Sequence, residues 1–269
     1  MPGLRVHHLN CAHITAMSIG GQPLACHVLL IETPSDGLVL VDSGLGTADY
    51  ADLTSRLGFT FARLYGRPAA DPSLAAIRQV TALGFQPRDV RHIVQTHLDL
   101  DHVGGLSDFP WATVHVHAAE LAAATARRGV RARARYRPPM WAHRPDFVTY
   151  AAEGDPWLGF EAVRDLKGLP EQILFVPLFG HTRGHCGVAV EGDAGWLLDA
   201  GDAFFDARQV YQPVPQIGWH VGLFERAVTT DRRLRVHNQG RLRRFTAAHP
   251  EVTVFAAHDP GGLPPITPR

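Results

Sequence analysis

Four potential metal ligands lie within six consecutive positions of the segment Thr-His-Leu-Asp-Leu-Asp-His-Val-Gly-Gly, residues 96–105. They are His97, Asp99, Asp101 and His102. Imidazole nitrogens and carboxylate oxygens are ligands that divalent zinc, iron and manganese share. The Gly-Gly pair that follows would let the chain turn tightly around an ion. Isolated His and Asp residues also cap helices and form turns, but this density of ligands predicts a metal site.

Three further segments place potential ligands where an apolar run ends. The cluster itself follows residues 90–95, which read as a strand. Downstream, Gly-His-Thr-Arg-Gly-His-Cys-Gly at 180–187, Leu-Asp-Ala-Gly-Asp at 198–202 and Phe-Ala-Ala-His-Asp-Pro at 255–260 each follow or end a short apolar run. Because sites in α/β folds are commonly built at the carboxyl ends of strands, these segments predict one shared site.

The pattern of apolar runs indicates an α/β fold of two similar halves. Residues 25–32 and 37–42 flank a Thr-Pro-Ser-Asp turn and predict a hairpin. Helical spacing around 74–83, closed by Gly84, predicts a helix, as does the alanine-rich run 118–126. Further strands are expected at 112–116, 173–177, 186–190, 195–199 and 253–256, with a long helix within 223–248. Strands followed by helices, twice over, predict a sandwich of two sheets covered by helices.

The composition is that of an ordinary globular protein. The 269 residues are 45% hydrophobic and 19% charged, and 26 basic residues balance 26 acidic ones. This balance offers no general attraction for nucleic acid or an anionic membrane, so we expect neither as a partner. The first residues have no apolar core of a signal peptide, and no run reaches the length of a membrane span. Three distant cysteines, Cys11, Cys26 and Cys186, fit reduced thiols in a cytoplasmic protein, the last two as core residues.

An arginine-rich stretch separates the two halves. Residues 127–144 contain seven arginines together with Tyr136 and Trp141. The stretch is either a lid, inserted at 127–150, that meets an anionic substrate near the metal, or a solvated connector. The arginines of 226–244 are expected on the solvated face of a helix.

These motifs, taken in order, resemble those of the metallo-β-lactamase superfamily. The resemblance rests on His-x-Asp-x-Asp-His-x-Gly-Gly, Gly-His-Thr-x-Gly-His, Gly-Asp-Ala and Ala-His-Asp-Pro, and Val-Asp-Ser-Gly at 41–44 matches an early Val-Asp-Thr-Gly segment. It extends from about Leu24 to Pro260. It implies a single domain over 1–269 with a four-layer αββα sandwich of two mixed sheets flanked by helices.

The resemblance also implies a binuclear site. The first ion would be held by His97, Asp99 and His181, the second by Asp101, His102 and His258, and Asp202 would bridge the two. Two further residues, Asp42 and His185, would orient these ligands without binding metal themselves. The expected cofactors are two divalent ions, zinc in the first place, with iron or manganese as alternatives.

Two positions depart from the pattern of the hydrolases that the chain resembles. Most of them have histidine where this chain has Asp99, and members with an acid there include iron proteins that perform redox chemistry. Lactonases of the superfamily carry a tyrosine three places after the bridging aspartate, where this chain has Phe205. Tyr211 is a candidate substitute for that tyrosine, and Phe205 and Trp141 are candidates for apolar walls of a substrate pocket.

The expected reaction is hydrolysis of a small ester, lactone or phosphoester, with a lactonase or esterase favoured. Two ions about 3.5–4 Å apart can share a hydroxide that attacks the substrate while one ion polarises the oxygen that gains charge. Asp101 would pass a proton to the leaving group. The alternatives are an iron-dependent oxidoreductase such as a sulfur dioxygenase, a nuclease and an inactive scaffold. A small-molecule substrate is expected, and a homodimer is left open.

Overall fold

Two mixed β-sheets face each other in the computed structural model, which describes residues 3–16, 22–151, 153–161, 166–215 and 217–259. The first sheet has six strands in chain order, β1 (Arg5–Ala16), β2 (Gln22–Glu32), β3 (Leu38–Val41), β4 (Val90–Val94), β5 (Thr113–His117) and β6 (Asp146–Tyr150). A two-stranded ribbon, β7 (Pro156–Trp157) and β8 (Phe160–Glu161), leads to the second sheet. The second sheet contains β9 (Ile173–Pro177), β10 (Cys186–Gly192), β11 (Gly195–Asp199) and β12 (Thr253–Phe255), in the order β12-β11-β10-β9.

The strand directions bring several carboxyl ends to one edge. β2 pairs in antiparallel orientation with both β1 and β3, and β2 and β3 form the predicted hairpin. The pairs from β3 to β6 are parallel. In the second sheet β9, β10 and β11 are antiparallel, and β12 pairs with β11 in parallel. The ends of β3 and β4 therefore lie side by side in one sheet, and those of β11 and β12 in the other.

Helices cover the outer faces of both sheets. The helices are α1 (Thr47–Ala51), α2 (Leu53–Leu57), α3 (Ala76–Ala82), α4 (Leu100–Val103), α5 (Ala118–Ala126), α6 (Val130–Arg135), α7 (Arg208–Tyr211), α8 (Trp219–Val228) and α9 (Arg232–Ala248). A π-helix at Thr60–Tyr65 and 3₁₀ turns at Pro72–Leu74, Pro87–Asp89, Gly104–Asp108 and Pro138–Trp141 complete the helical segments.

Three apolar clusters separate four layers. One lies between the sheets and includes Val41 and Val94 from the first sheet and Phe175 from the second. A second packs the outer face of the first sheet against helices such as α3, and a third packs the second sheet against Leu242 and Phe245 of α9. Because alternate residues of a strand face opposite sides, each sheet supplies two of these clusters. The predicted four-layer sandwich of two mixed sheets is confirmed.

Most predicted elements are present, and the differences are local. The helix predicted at 118–126 is α5, and the long helix predicted within 223–248 is α9, which a separate helix, α8, precedes. Asp231 accepts hydrogen bonds from the N–H groups of Arg233 and Leu234 and so caps a new helix after α8. The arginine-rich stretch forms α6 and the 3₁₀ turn at Pro138–Trp141, and the lid proposed for 127–150 would include edge strand β6.

The three cysteines are core residues, as the sequence predicts for two of them. Cys11, Cys26 and Cys186 are buried free thiols. Within the described part of the chain, none of the helices combines the length and the apolar character needed to span a membrane. Pro260, the last residue of the sequence resemblance, lies outside the described residues.

Candidate metal centre

The predicted ligands leave adjacent strand ends and converge between the two sheets. His97 follows β4, and Asp202 and His258 follow β11 and β12. His181 lies in the loop between β9 and β10, at the same edge of the second sheet. His102 is on the single-turn helix α4. The parallel pairing of β11 with β12 explains why residues 56 positions apart in the chain, Asp202 and His258, become neighbours.

One half of the site is formed by His97, Asp99 and His181 around the Asp202 carboxylate. Asp202 Oδ2 lies 3.3 Å from His181 Nε2 and 3.8 Å from His97 Nε2. Asp99 Oδ2 lies 3.1 Å from His181 Nε2 and 3.6 Å from His97 Nε2. The four side chains offer ligand atoms that all lie within 4.8 Å of one another.

The other half uses the second oxygen of the same carboxylate. Asp202 Oδ1 lies 3.4 Å from both His102 Nε2 and His258 Nε2. Asp101 Oδ2 also lies 3.4 Å from His258 Nε2. Asp202 therefore presents one oxygen to each pair of imidazoles.

The donor set fits divalent ions. His97 Nε2 and Asp202 Oδ1 are buried without a hydrogen-bond partner among the described residues. Meanwhile the Nδ1 atoms of His97, His102 and His258 are engaged with Thr96 Oγ1, Asp42 Oδ2 and the carbonyl of Ala25. Unpartnered buried polar atoms cost free energy, and a cation in each half of the site would satisfy one of these two atoms. Ligating histidines generally have the second ring nitrogen held in this way.

Asp42 and His185 are hydrogen-bonded to two of the converging residues, His102 and Asp202. Asp42, with a φ of 59° after β3, accepts hydrogen bonds from His102 Nδ1 at 2.7 Å and from the N–H and hydroxyl of Thr96. His185 Nδ1 donates to the carbonyl of Leu178, and its Nε2 accepts the N–H of Asp202. Burial lowers the pKa of His185 to about 3, so the ring is neutral and fixes the Asp202 backbone.

Glu120 of α5 was not identified as a site residue in the sequence. Its carboxylate is hydrogen-bonded to the loop that contains His97 and Asp99 and to the loop that contains His181. Its Oε1 accepts the N–H of Leu98 and the hydroxyl of Tyr136, and its Oε2 accepts the N–H of Gly184. The side chain is fully buried, and burial raises its pKa. In the sequence it is a single acid in an alanine-rich helix, without a motif to mark it.

Arg135 is a second residue that the sequence did not single out. Its Nε lies 3.4 Å from Asp99 Oδ1, and Nη1 donates to the carbonyl of His181 at 3.1 Å. Burial opposes ionisation of Asp99, but the guanidinium and the neighbouring imidazoles hold the pKa of this carboxyl well below its usual range. Within the arginine-rich stretch, the largely buried side chain of Arg135 thus contacts the site, whereas Arg128 and Arg131 are exposed.

One sequence interpretation near the site needs correction, and another needs an addition. Gly104 and Gly105 do not serve a tight turn with unusual backbone angles, since neither has a positive φ. A Cβ at Gly104 would lie 1.9 Å from Asp49 Oδ2, and one at Gly105 would lie 2.5 Å from the carbonyl of Ser43, so close packing requires glycine. Cys26 is a core residue as expected, but its Sγ also belongs to a group of potential ligands with Asp101 and His258.

The three candidate pocket residues lie in different surroundings. Phe205 stacks on the His258 ring, with centroids 5.7 Å apart and planes 7° apart, and is 6.1 Å from the His181 ring. Trp141 packs against the apolar cluster of the first sheet. The Tyr211 hydroxyl donates to the carbonyl of Val254 and accepts its N–H, so it does not replace the missing tyrosine as a substrate-facing donor.

Comparison with known proteins gives one family and a consistent set of relatives. The model of the metallo-beta-lactamase superfamily matches residues 21–236. A probable metallo-hydrolase of Mycobacterium tuberculosis is 41% identical over 260 residues, 96% of this chain and 81% of that protein. An N-acyl homoserine lactonase of Bacillus cereus is 26% identical over 209 residues, 77% of this chain and 74% of that protein.

Solved structures show the same fold. A mutant of B. thuringiensis AiiA with N-decanoyl-L-homoserine bound at its active site superposes with a TM-score of 0.73 at 18% identity. The match covers 97% of this chain and 95% of that one. The predicted metallo-β-lactamase-fold hydrolase is confirmed by the family match and the mycobacterial relative. Because the family model matches residues 21–236 and the solved structures have the same fold, this chain belongs to the metallo-beta-lactamase superfamily.

Proposed function

We propose that this metal-dependent hydrolase acts on small lactones and related esters with two divalent ions, zinc in the first place. The observation that carries the proposal is the Asp202 carboxylate, whose two oxygens each face a separate pair of imidazole Nε2 atoms. A carboxylate between two sets of neutral nitrogen donors suits a pair of cations better than one.

Each half of the site has its own ligands in this proposal. His97, Asp99 and His181 would hold one ion, His102, His258 and Asp101 would hold the other, and the Asp202 carboxylate would serve both sets. Bound ions of this kind lower the pKa of water to about 7 and polarise the oxygen of a carbonyl.

The protein side chains then orient the reactants. Asp42 and His185 fix the His102 ring and the Asp202 backbone, which keeps the ligand atoms in place without rearrangement. Asp101, whose side chain is 14% exposed, lies 3.4 Å from His258 Nε2 and would take the proton that the attacking water releases and pass it to the leaving alcohol. Phe205 and Phe224, in edge-to-face contact at 5.0 Å, offer an apolar surface to the acyl part of the substrate.

Lactones are favoured because of the relatives. The Bacillus cereus protein is an N-acyl homoserine lactonase, and the AiiA structure contains N-decanoyl-L-homoserine at its active site. The stacked ring of Phe205 beside His258 suits the acyl part of such a molecule.

The proposal is tested by metal analysis followed by a substrate panel. Protein purified without added metal should contain about two divalent ions per chain. It should then open acyl homoserine lactones and simple lactones faster than phosphotriesters, when hydrolysis is followed by proton release. A single iron per chain, with oxygen consumption on thiol substrates, would refute the hydrolase and favour the oxidoreductase alternative. Two ions with phosphotriesters preferred would refute the lactone assignment alone.

Phe205 provides a separate prediction about the substrate site. A tyrosine here would add a hydroxyl to a ring whose centroid already lies 5.7 Å from that of His258 and 6.1 Å from that of His181. A hydrogen-bond donor to developing negative charge contributes about a hundredfold or more to kcat, so Phe205→Tyr should raise kcat on lactones by about tenfold with little change in KM. Steady-state kinetics of the wild type, Phe205→Tyr and Phe205→Leu would check this. An unchanged kcat in Phe205→Tyr would show that the ring edge faces away from the reacting carbonyl.

A further inference from the structure

Arg135 occupies an unusual position for a member of an exposed arginine-rich helix. It is the last residue of α6, its side chain is 16% exposed, and its three nitrogens have different partners. Nε faces Asp99 Oδ1, Nη1 donates to the carbonyl of His181, and Nη2 donates to the carbonyl of Val228 at the end of α8. One guanidinium therefore touches two of the three residues proposed to hold the first ion.

The two oxygens of Asp99 have separate roles. Oδ2 points to the imidazole nitrogens of His181 and His97, at 3.1 and 3.6 Å, whereas Oδ1 points to Arg135. Oδ1 has no hydrogen-bond partner among the described residues, so its 3.4 Å contact with Arg135 Nε is an ion pair and not a hydrogen bond. A guanidinium that attracts one oxygen of a carboxylate also favours one direction for the other oxygen. Arg135 thus aims Asp99 Oδ2 at the point where the imidazoles of the first half converge.

The charge balance gives the pair a second role. Compared with a neutral histidine at position 99, the aspartate adds one negative charge near the Asp202 carboxylate. The guanidinium of Arg135 adds one positive charge next to the same carboxylate. An aspartate with its arginine therefore has the net charge of a neutral histidine, and the cation partly offsets the added negative charge at the ions.

From this geometry, and on the basis of the proposed function, we infer that Asp99 and Arg135 act as one unit that replaces a histidine ligand. Asp99 supplies the ligand oxygen, and Arg135 is the positioning residue that aims this oxygen and offsets its charge.

A double-mutant cycle tests the coupling, with Asp99→His, Arg135→Met and the combined variant compared with the wild type. Asp99→His leaves a cation beside the site without its carboxylate and should weaken binding of the first zinc ion by about tenfold or more. Arg135→Met removes the cation that opposes the ions but also the contact that aims Asp99 Oδ2, so these opposing effects should leave zinc affinity within about threefold of the wild type. The combined variant should return to within about threefold of the wild-type affinity. Competition with a chromophoric chelator measures these affinities without reference to activity.

Controls separate the coupling from a merely structural role. Arg133→Met, at an exposed neighbour on α6, should leave zinc affinity unchanged. Arg135→Lys keeps the charge and should keep zinc affinity near wild type even if the melting temperature falls. If Arg135 had only a structural role, Arg135→Met would lower both stability and zinc affinity. These losses would then be the same with aspartate as with histidine at position 99.

The outcomes also separate this inference from the proposed function. Failure of the combined variant to recover affinity, while the wild type binds two ions and hydrolyses esters, would overturn only the coupling. Unchanged zinc affinity in Asp99→His would also overturn the coupling, because a histidine beside the unpaired guanidinium would then bind zinc as well as the aspartate does. A wild-type chain that binds no divalent ion would refute the proposed function itself.

Discussion

Replacement of Asp202 by alanine is expected to remove both metal ions and to lower hydrolysis by about three orders of magnitude or more. The reason is that both halves of the site depend on this one carboxylate. Its Oδ2 faces His97 and His181, and its Oδ1 faces His102 and His258. Without it, four imidazoles remain around a buried polar void, and neither set keeps its shared negative ligand.

The comparison with a single-half variant makes this prediction specific. His258→Ala removes a ligand from the second half only, so this protein should keep about one ion per chain. Asp202→Ala should fall below that value when both proteins are measured by elemental analysis after desalting. Asp193→Ala, at an exposed acid next to the β10–β11 turn, is the matched control and should keep the wild-type content. Two ions retained in Asp202→Ala would contradict the bridging role.

Glu120→Ala is expected to destabilise the protein by about 2–5 kcal/mol, because each buried donor that loses its acceptor costs about 1–3 kcal/mol. The variant leaves the N–H groups of Leu98 and Gly184 without their acceptor, and the hydroxyl of Tyr136 loses the same partner. Leu98 is next to His97 and Asp99, and Gly184 is next to His185. The ligand loops should therefore loosen, and metal affinity should fall together with stability.

Urea unfolding of the metal-free and metal-loaded forms separates the two effects. The loss in the metal-free form reports the hydrogen bonds, and the additional loss in the loaded form reports weaker metal binding. Glu171→Ala, at an exposed acid before β9, should change stability by less than about 0.5 kcal/mol. A Glu120→Ala protein as stable as the wild type would mean that other groups satisfy these donors.

The sequence by itself determined the family, the layered architecture and the residues that meet in the site. Each ligand lies next to an apolar run, and the 2-residue and 3.6-residue periods of those runs are local properties of the chain. These local signals are sufficient to place the segments with His97, His181, Asp202 and His258 at strand ends.

The tertiary structure alone decided which other side chains support the site. Glu120 and Arg135 reach it from α5 and α6, and Cys26 reaches it from β2, although none of them belongs to a motif. It also decided that the Tyr211 hydroxyl is bound to the backbone of Val254. These contacts join residues far apart in the chain, and their distances depend on how helices pack on the sheets. A single sequence records the period of each element but not the packing between elements, and that packing sets the charge and the geometry around the metal ligands.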